Sequence, residues 1–209
     1  MKTKSETLFE NWLAAQNLLF KKIQEATTPR PDYLVSVSDL QIVFELKELT
    51  EDGHFNVVKD PAYPNITSNS RILGDHVRRR IEHSKRQLQY GAHQGIPSIL
   101  LIYNNLDPGL QMFGTEQGDF VAAMYGTPTI LVNPQTLAAS EVFNGKDSSL
   151  QPEKNTSFSA VGHLCDRGGT TTVTLFENTF AKVRIEYDRL PSCFDVQRIE
   201  VSTDPLNVP

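Results

Sequence analysis

The chain predicts an α/β protein: a mixed central sheet flanked by helices, continued by a β-rich C-terminal extension. Three observations lead there. Residues 5–25 and 71–93 carry apolar side chains at helical spacing. The runs Tyr33–Val37 and Gln41–Leu46 have the length and composition of paired strands. Ile96–Tyr103 is an apolar run of the kind buried on both faces of a sheet. The order helix, strands, helix, strand assigns the core to residues 1–105. Residues 106–209 form the β-rich extension of the same domain.

Each element has a local reason. Leu8, Trp12, Ala15, Leu19 and Ile23 recur at three- and four-residue spacing, and the Phe9 and Trp12 pair is expected in the core. The first helix must stop before Thr27-Thr28-Pro29-Arg30-Pro31, because proline disfavours helix at the preceding residue. Ser38-Asp39 joins the first two strands as a tight hairpin. Residues 50–70, rich in Asp, Asn, Ser and Pro, are expected as a long loop or an irregular strand around Phe55–Val58. Val77, Ile81, Ser84 and Leu88 share one face of the second helix, which His93-Gln94-Gly95 ends.

In the second half, Asp107-Pro108-Gly109 reads as a turn, Phe120–Tyr125 as a short helix and Thr129–Val132 as a buried strand. Residues 144–157 are loop-like, and strands are expected at 158–164, 171–176, 182–187 and 196–201. Asp166-Arg167-Gly168-Gly169 is a hairpin signal, and the extension is expected to be antiparallel.

With 39% hydrophobic residues in 209, the chain can build a core and is not a disordered protein. The longest apolar run, Ile99–Ile102, is too short to span a bilayer, and Met1–Glu6 lacks the apolar stretch of a signal peptide. A cytoplasmic protein with no membrane association is the expectation. Cys165 and Cys193 lack metal-ligand spacing and read as free, partly buried thiols. None of the five histidines is spaced for zinc. A net charge of −5 means that any nucleic-acid contact must come from a local basic patch. Arg71, Arg78, Arg79, Arg80, Lys85 and Arg86 supply one on the second helix. Positions 78, 79 and 80 point about 100° apart, so they cannot all face one phosphate backbone. Arg78, Arg80 and Lys85 are the candidate contacts.

The chemistry-bearing stretch is Pro31-Asp32-Tyr33 followed by Phe44-Glu45-Leu46-Lys47. Glu45 and Lys47 are two apart on a strand and share a face, while Leu46 points the other way, into the core. Asp32 begins the preceding strand, and a hairpin brings it beside Glu45. Two carboxylates and an ammonium then converge at one sheet edge. Such carboxylates offer hard oxygen ligands to Mg²⁺, which stabilises charge on a phosphate and acidifies a bound water. A neighbouring lysine orients that water and offsets phosphate charge. In the competing structural reading, Asp32 caps a turn, while Glu45 and Lys47 form an exposed edge pair.

Pro31, Asp32, Glu45 and Lys47 resemble the motif of the PD-(D/E)xK (restriction-endonuclease-like) nuclease superfamily, with Glu45 in the D/E position. The resemblance implies a nuclease dependent on Mg²⁺ (or Mn²⁺) that hydrolyses phosphodiester bonds, with DNA the expected substrate. Asp32 and Glu45 would bind the metal, and Lys47 would help activate water. The family's order of helix, strands, helix and strand agrees with residues 5–103. Members often carry a further glutamate on the first helix, for which Glu10 is the best match and Glu6 the second. Some place a polar residue on the helix after the lysine, here Gln87 or Lys85. A helicase-linked subgroup carries Gln-x-x-x-Tyr there; Gln87-Leu88-Gln89-Tyr90 is one residue short, and the chain is not assigned to it. Many such nucleases cut two strands as homodimers, although no interface is legible. Two other functions compete: a non-catalytic DNA-binding or partner-binding protein on the same fold, and a structural or regulatory protein with an accidental motif. The last requires Asp32 and Glu45 to lie far apart.

Overall fold

The computed structural model describes residues 2–24, 26–50, 56–59, 67–106, 111 and 113–202. In chain order its elements are α1 (Lys4–Ala15), β1 (Leu19–Lys22), β2 (Tyr33–Val37), β3 (Leu40–Leu49), β4 (Asn56–Lys59), β5 (Thr67–Ser70), α2 (Asp75–His93), β6 (Ser98–Asn104), α3 (Gln117–Tyr125), β7 (Pro128–Thr129), β8 (Phe143–Asn144), β9 (Ala160–Arg167), β10 (Thr170–Glu177) and β11 (Phe194–Gln197). Among the described residues, seven strands form one mixed sheet in the order β1-β2-β3-β6-β9-β10-β11. The β1–β2, β2–β3 and β9–β10 pairings are antiparallel, and β3–β6, β6–β9 and β10–β11 are parallel. Phe55, His54 and the Asp107-Pro108-Gly109 turn lie outside the described residues. No helix among the described residues is long and apolar enough to cross a membrane.

Strand alternation divides the core into two layers. Helix α1 sets Phe9, Trp12 and Leu13 against Tyr33, Phe44, Leu46, Val173 and Phe194 on one face. Helices α2 and α3 set Val77, Ile81, Leu88, Phe120 and Met124 against Leu100, Ile102 and Val161 on the other. Strand β6 lies between both layers, and all seven of its residues are buried, as its apolar run predicts. The predicted buried stripe of α2, Val77, Ile81, Ser84 and Leu88, is also observed. Fully burying a side chain such as Phe9 or Phe44 contributes about 1.5–3 kcal/mol, so the two aromatic layers fix the sheet's register firmly.

Four expectations are corrected. The first helix does not run to residue 25: it ends at Ala15, where Asn17 takes a left-handed conformation (φ 55°). Asparagine tolerates that geometry, and Leu19–Lys22 then pairs with β2. Tertiary pairing overrides a helical spacing that Leu19 and Ile23 happen to satisfy. Thr129–Val132 is not a buried strand, since Ile130 and Val132 are about half exposed (52% and 51%). Residues 182–187 form no strand; a short 3-10 turn occupies Tyr187–Arg189, and Tyr187 donates to the Ser159 carbonyl at 3.1 Å. The C-terminal strands are not simply antiparallel, because β9 joins β6 in parallel and β11 lies parallel to β10. The β9–β10 hairpin does turn at Gly168-Gly169, both at positive φ (58° and 81°), as a two-residue turn requires.

Helix α2 sits directly on β3 and β6 through Gly91. A Cβ there would lie 2.4 Å from Ser98 Oγ and 2.5 Å from Val43 Cγ2, both buried side chains. Gly91→Ala is therefore expected to destabilise the protein by about 1–2 kcal/mol, since overpacking outweighs alanine's better helix propensity. Thermal melts check this; an equal or higher melting temperature would show that the helix has room to shift.

Candidate active site

The site begins with a break in a strand ladder. Strands β2 and β3 pair with Tyr33 opposite Phe44, and the Asp32 N–H extends the ladder to the Phe44 carbonyl at 3.0 Å. Extending the register by one sets Asp32 against Glu45. Pro31 comes next and has no N–H to continue the ladder. The Leu46 N–H instead donates to Asp32 Oδ2 at 2.7 Å. Asp32 is thus held by the sheet on one side and by its own carboxylate on the other. Its neighbour Tyr33 is fully buried, packs edge-on to Phe9 and donates its hydroxyl to Glu10 Oε1 at 2.8 Å.

Alternation along β3 does the rest. Phe44 and Leu46 face α1 and are buried there, so Glu45 and Lys47 face the α2 side. Lys47 Nζ lies 2.6 Å from Glu45 Oε1. Glu45 Oε2 is buried and accepts no hydrogen bond from an N–H or hydroxyl donor, and the Asp32 carboxyl lies close enough to share a proton with the Glu45 carboxyl. The Glu45 side chain is only 3% exposed and that of Lys47 28%, so the pair is not a solvated edge pair. Burial, then repulsion from Asp32, pushes the Glu45 carboxyl up to about 7, with Lys47 pulling the other way. Asp32 is also raised, by burial above all, against the Leu46 N–H and Lys47.

Asp32, Glu45, Lys47 and Gln87 line one cleft of about 310 Å³, closed on one side by the Pro29–Pro31 segment. Four of the sequence's candidates are therefore brought together. Of the two helix glutamates, Glu6 is the one whose charge acts on Asp32; it also closes the N-terminal capping box of α1 and pairs with Lys22 at 2.5 Å. Glu10 is held by Tyr33 and by Lys2, at 2.6 Å.

The basic helix divides in use. The Arg78 guanidinium donates to the carbonyls of Leu73, Ala122 and Asp147 and to Thr127 Oγ1, at 2.8 to 3.2 Å, which ties α2 to α3 and the loops around them. Arg80 Nε donates to the Glu48 carbonyl at 2.9 Å, and Lys85 is half-buried on α2. Sequence reasoning missed three residues near the cleft, Lys22, Arg30 and Tyr90. Lys22 lay in a stretch read as helix, and no motif marks the other two as a pair. Both cysteines are free, and His163 is held neutral, its imidazole lowered to about 4 by burial and Arg167.

The fold and the cleft define an α/β protein whose mixed sheet carries a paired-carboxylate and lysine site where β2 and β3 part. Comparison with protein-family models, curated proteins and solved structures gives no match.

The raised Glu45 carboxyl has a consequence for stability. Unfolded, it ionises near its ordinary value of 4.5; folded, only near 7. Between those values the native state holds a proton that the unfolded chain has lost, so this group's contribution to stability falls as pH rises through the window. Glu45→Gln is therefore expected to melt several degrees higher than the wild type at pH 8 without divalent metal, and close to it at pH 5. Equal melting differences at both pH values would overturn the assignment of the strain to Glu45.

Proposed function

We propose that this protein is a metal-dependent nuclease acting on nucleic acid, with DNA the expected substrate. The observation that carries the reading is the convergence of Asp32, Glu45 and Lys47 in one cleft, with a buried Glu45 oxygen that no N–H or hydroxyl donor satisfies among them. With the separate β4–β5 pair set aside, the order helix, three antiparallel strands, helix and parallel strand over α1 to β6 supports it too, being the arrangement implied by the likeness to PD-(D/E)xK nucleases.

The donor set suits Mg²⁺ or Mn²⁺. Asp32 and Glu45 would hold the ion. Among the described residues no cluster of three or more His, Cys, Asp or Glu forms. Two carboxylates are nonetheless enough for Mg²⁺, which keeps waters and takes substrate phosphate oxygens. When bound, the ion stabilises charge developing on the phosphoryl oxygens and acidifies water. The protein's own groups supply the rest. Lys47 places its ammonium beside Glu45, where it orients a water and offsets phosphate charge. The Gln87 amide faces the same cleft and can fix a water or a phosphate oxygen. The reading with an accidental motif needs the two carboxyls to lie apart, and the register of β2 and β3 sets them together. One observation favours a non-catalytic protein on this fold: Asp32 already has a structural task, capping the Leu46 N–H.

Incubation with single- and double-stranded DNA in millimolar Mg²⁺ or Mn²⁺ decides between them. Cleavage that EDTA abolishes is expected. Lys47→Ala should lower its rate by about two to three orders of magnitude with little change in melting temperature. Mn²⁺ should raise the melting temperature of the wild type but not of a Glu45→Gln variant, since binding to the native state stabilises by mass action. No cleavage, or equal rates for Lys47→Ala and wild type, would rule the reading out.

A further inference from the structure

Beside the carboxylate cleft lies a second pocket of about 350 Å³, and the two share Ile23, Gln24 and Arg30 as a common wall. Strand register relates them. One cross-strand row on the α2-facing side of the sheet is Ile23–Asp32–Glu45, where the Ile23 N–H donates to the Asp32 carbonyl. The next row on that face is Lys21–Leu34–Val43. Two residues along a strand separate the rows by about 7 Å. Leu34, Val43 and Ile96 make an apolar floor, and Tyr90 of α2 forms a wall. The Arg30 guanidinium lies over the Tyr90 ring, 5.6 Å from its centroid. Lys21 and Arg30 bring two positive charges, and among the described residues no carboxylate lines the pocket and neither cation makes an ion pair.

An apolar floor, an aromatic wall and unopposed cations, one step from a phosphodiester-cleaving centre, are complementary to a nucleotide: a flat ring with a π-face, joined to an anionic phosphate. Resting on the nuclease reading, we propose that this pocket holds the unpaired base of the nucleotide next to the scissile phosphate, stacked on the Tyr90 ring in exchange for the Arg30 guanidinium that lies over it, with the displaced Arg30 and Lys21 at the backbone. The substrate class is then single-stranded or locally opened nucleic acid. A base inside a duplex is stacked on both sides and reaches such a pocket only by leaving the stack. Aromatic and arginine platforms accept any base, so the pocket selects for unpaired structure more than for sequence.

The test is equilibrium binding of short fluorescein-labelled oligodeoxynucleotides to the full chain in millimolar calcium, read by anisotropy. Three probes are compared: a single strand, the same strand made of abasic residues, and the blunt duplex. The single strand should bind more tightly than either of the others. Tyr90→Ala and Arg30→Ala should each weaken its binding about tenfold, and Tyr90→Phe should stay within about twofold of wild type. Arg30 is exposed, so its variant remains informative if Tyr90→Ala proves unstable in a thermal melt. Equal affinity for the abasic strand, tighter binding of the duplex, or wild-type affinity in both alanine variants would overturn the proposal. The two readings fail separately. A protein that binds unpaired bases through Tyr90 but cleaves nothing loses the nuclease reading and keeps the base pocket. One that cleaves with binding indifferent to Tyr90 loses the pocket alone.

Discussion

Glu45 sits on a strand with buried apolar residues on either side, Phe44 and Leu46, and shares its cleft with a second carboxyl across the β2–β3 ladder. Holding two acids in a nearly dry place is unfavourable, because burial and mutual repulsion both oppose ionisation. The fold maintains the arrangement because the residues carrying the acids cannot move independently. Phe44 and Leu46 are anchored under α1, Tyr33 is fully buried among aromatic rings, and the strand pairing transmits those anchors to the polar side chains between them. Each apolar anchor contributes about 1.5–3 kcal/mol, so several together outweigh the cost of one strained carboxyl. The strain is thus a product of alternation: one face of β3 packs under α1, and the other presents Glu45 and Lys47 to the cleft.

Around this point the molecule arranges its charges in shells. Nearest are Glu45 with Lys47, and Asp32 with the Leu46 N–H. Outside them, Glu6 pairs with Lys22 and Glu10 with Lys2 and Tyr33, which joins α1 to the sheet near the cleft. On the far side, Ser5 N–H donates to Glu48 at 2.7 Å, tying the start of α1 to the strand that carries the site. A buried ion pair is weak evidence for stability, since desolvation offsets much of the attraction. Its use here is positional: it fixes where the ammonium of Lys47 lies relative to the carboxylate.

Much of this was legible in the sequence, and for identifiable reasons. The hairpin, the buried β6 and the stripe of α2 followed from period and composition, because each buries one continuous apolar set. Glu45, Lys47 and Asp32 were placed by alternation and one tight turn, which are local rules. What escaped was non-local. The end of α1 depends on Asn17 and on an open β2 edge ready to receive Leu19–Lys22. Thr129–Val132 has a strand's composition, but Thr129 pairs in the two-residue β7–β8 ladder and Val132 in an isolated bridge, apart from the central sheet, which leaves Ile130 and Val132 half exposed. Arg78 reads as a surface charge, yet its guanidinium is taken by carbonyls of α3 and the loops beside it, groups far away in the chain. Tyr90 and Arg30 meet only because α2 packs on β3 and β6, beside the segment that leads into β2.

The overall acidity of the chain is compatible with an anionic ligand once location is considered. A net charge of −5 describes the field at a distance, which salt screens within about 10 Å. Contact is decided by what lies inside that range. Around the cleft, Lys21, Arg30 and Lys47 stand on or beside one sheet face, and among the described residues the acids lining it are the two raised by burial. Glu45, raised to about 7, carries less negative charge than its residue type implies, so the local balance near pH 7 is more positive than a formal count. The burial that strains Glu45 therefore also lessens the repulsion an incoming phosphate would meet, and a divalent cation held by the same oxygens would reverse its sign.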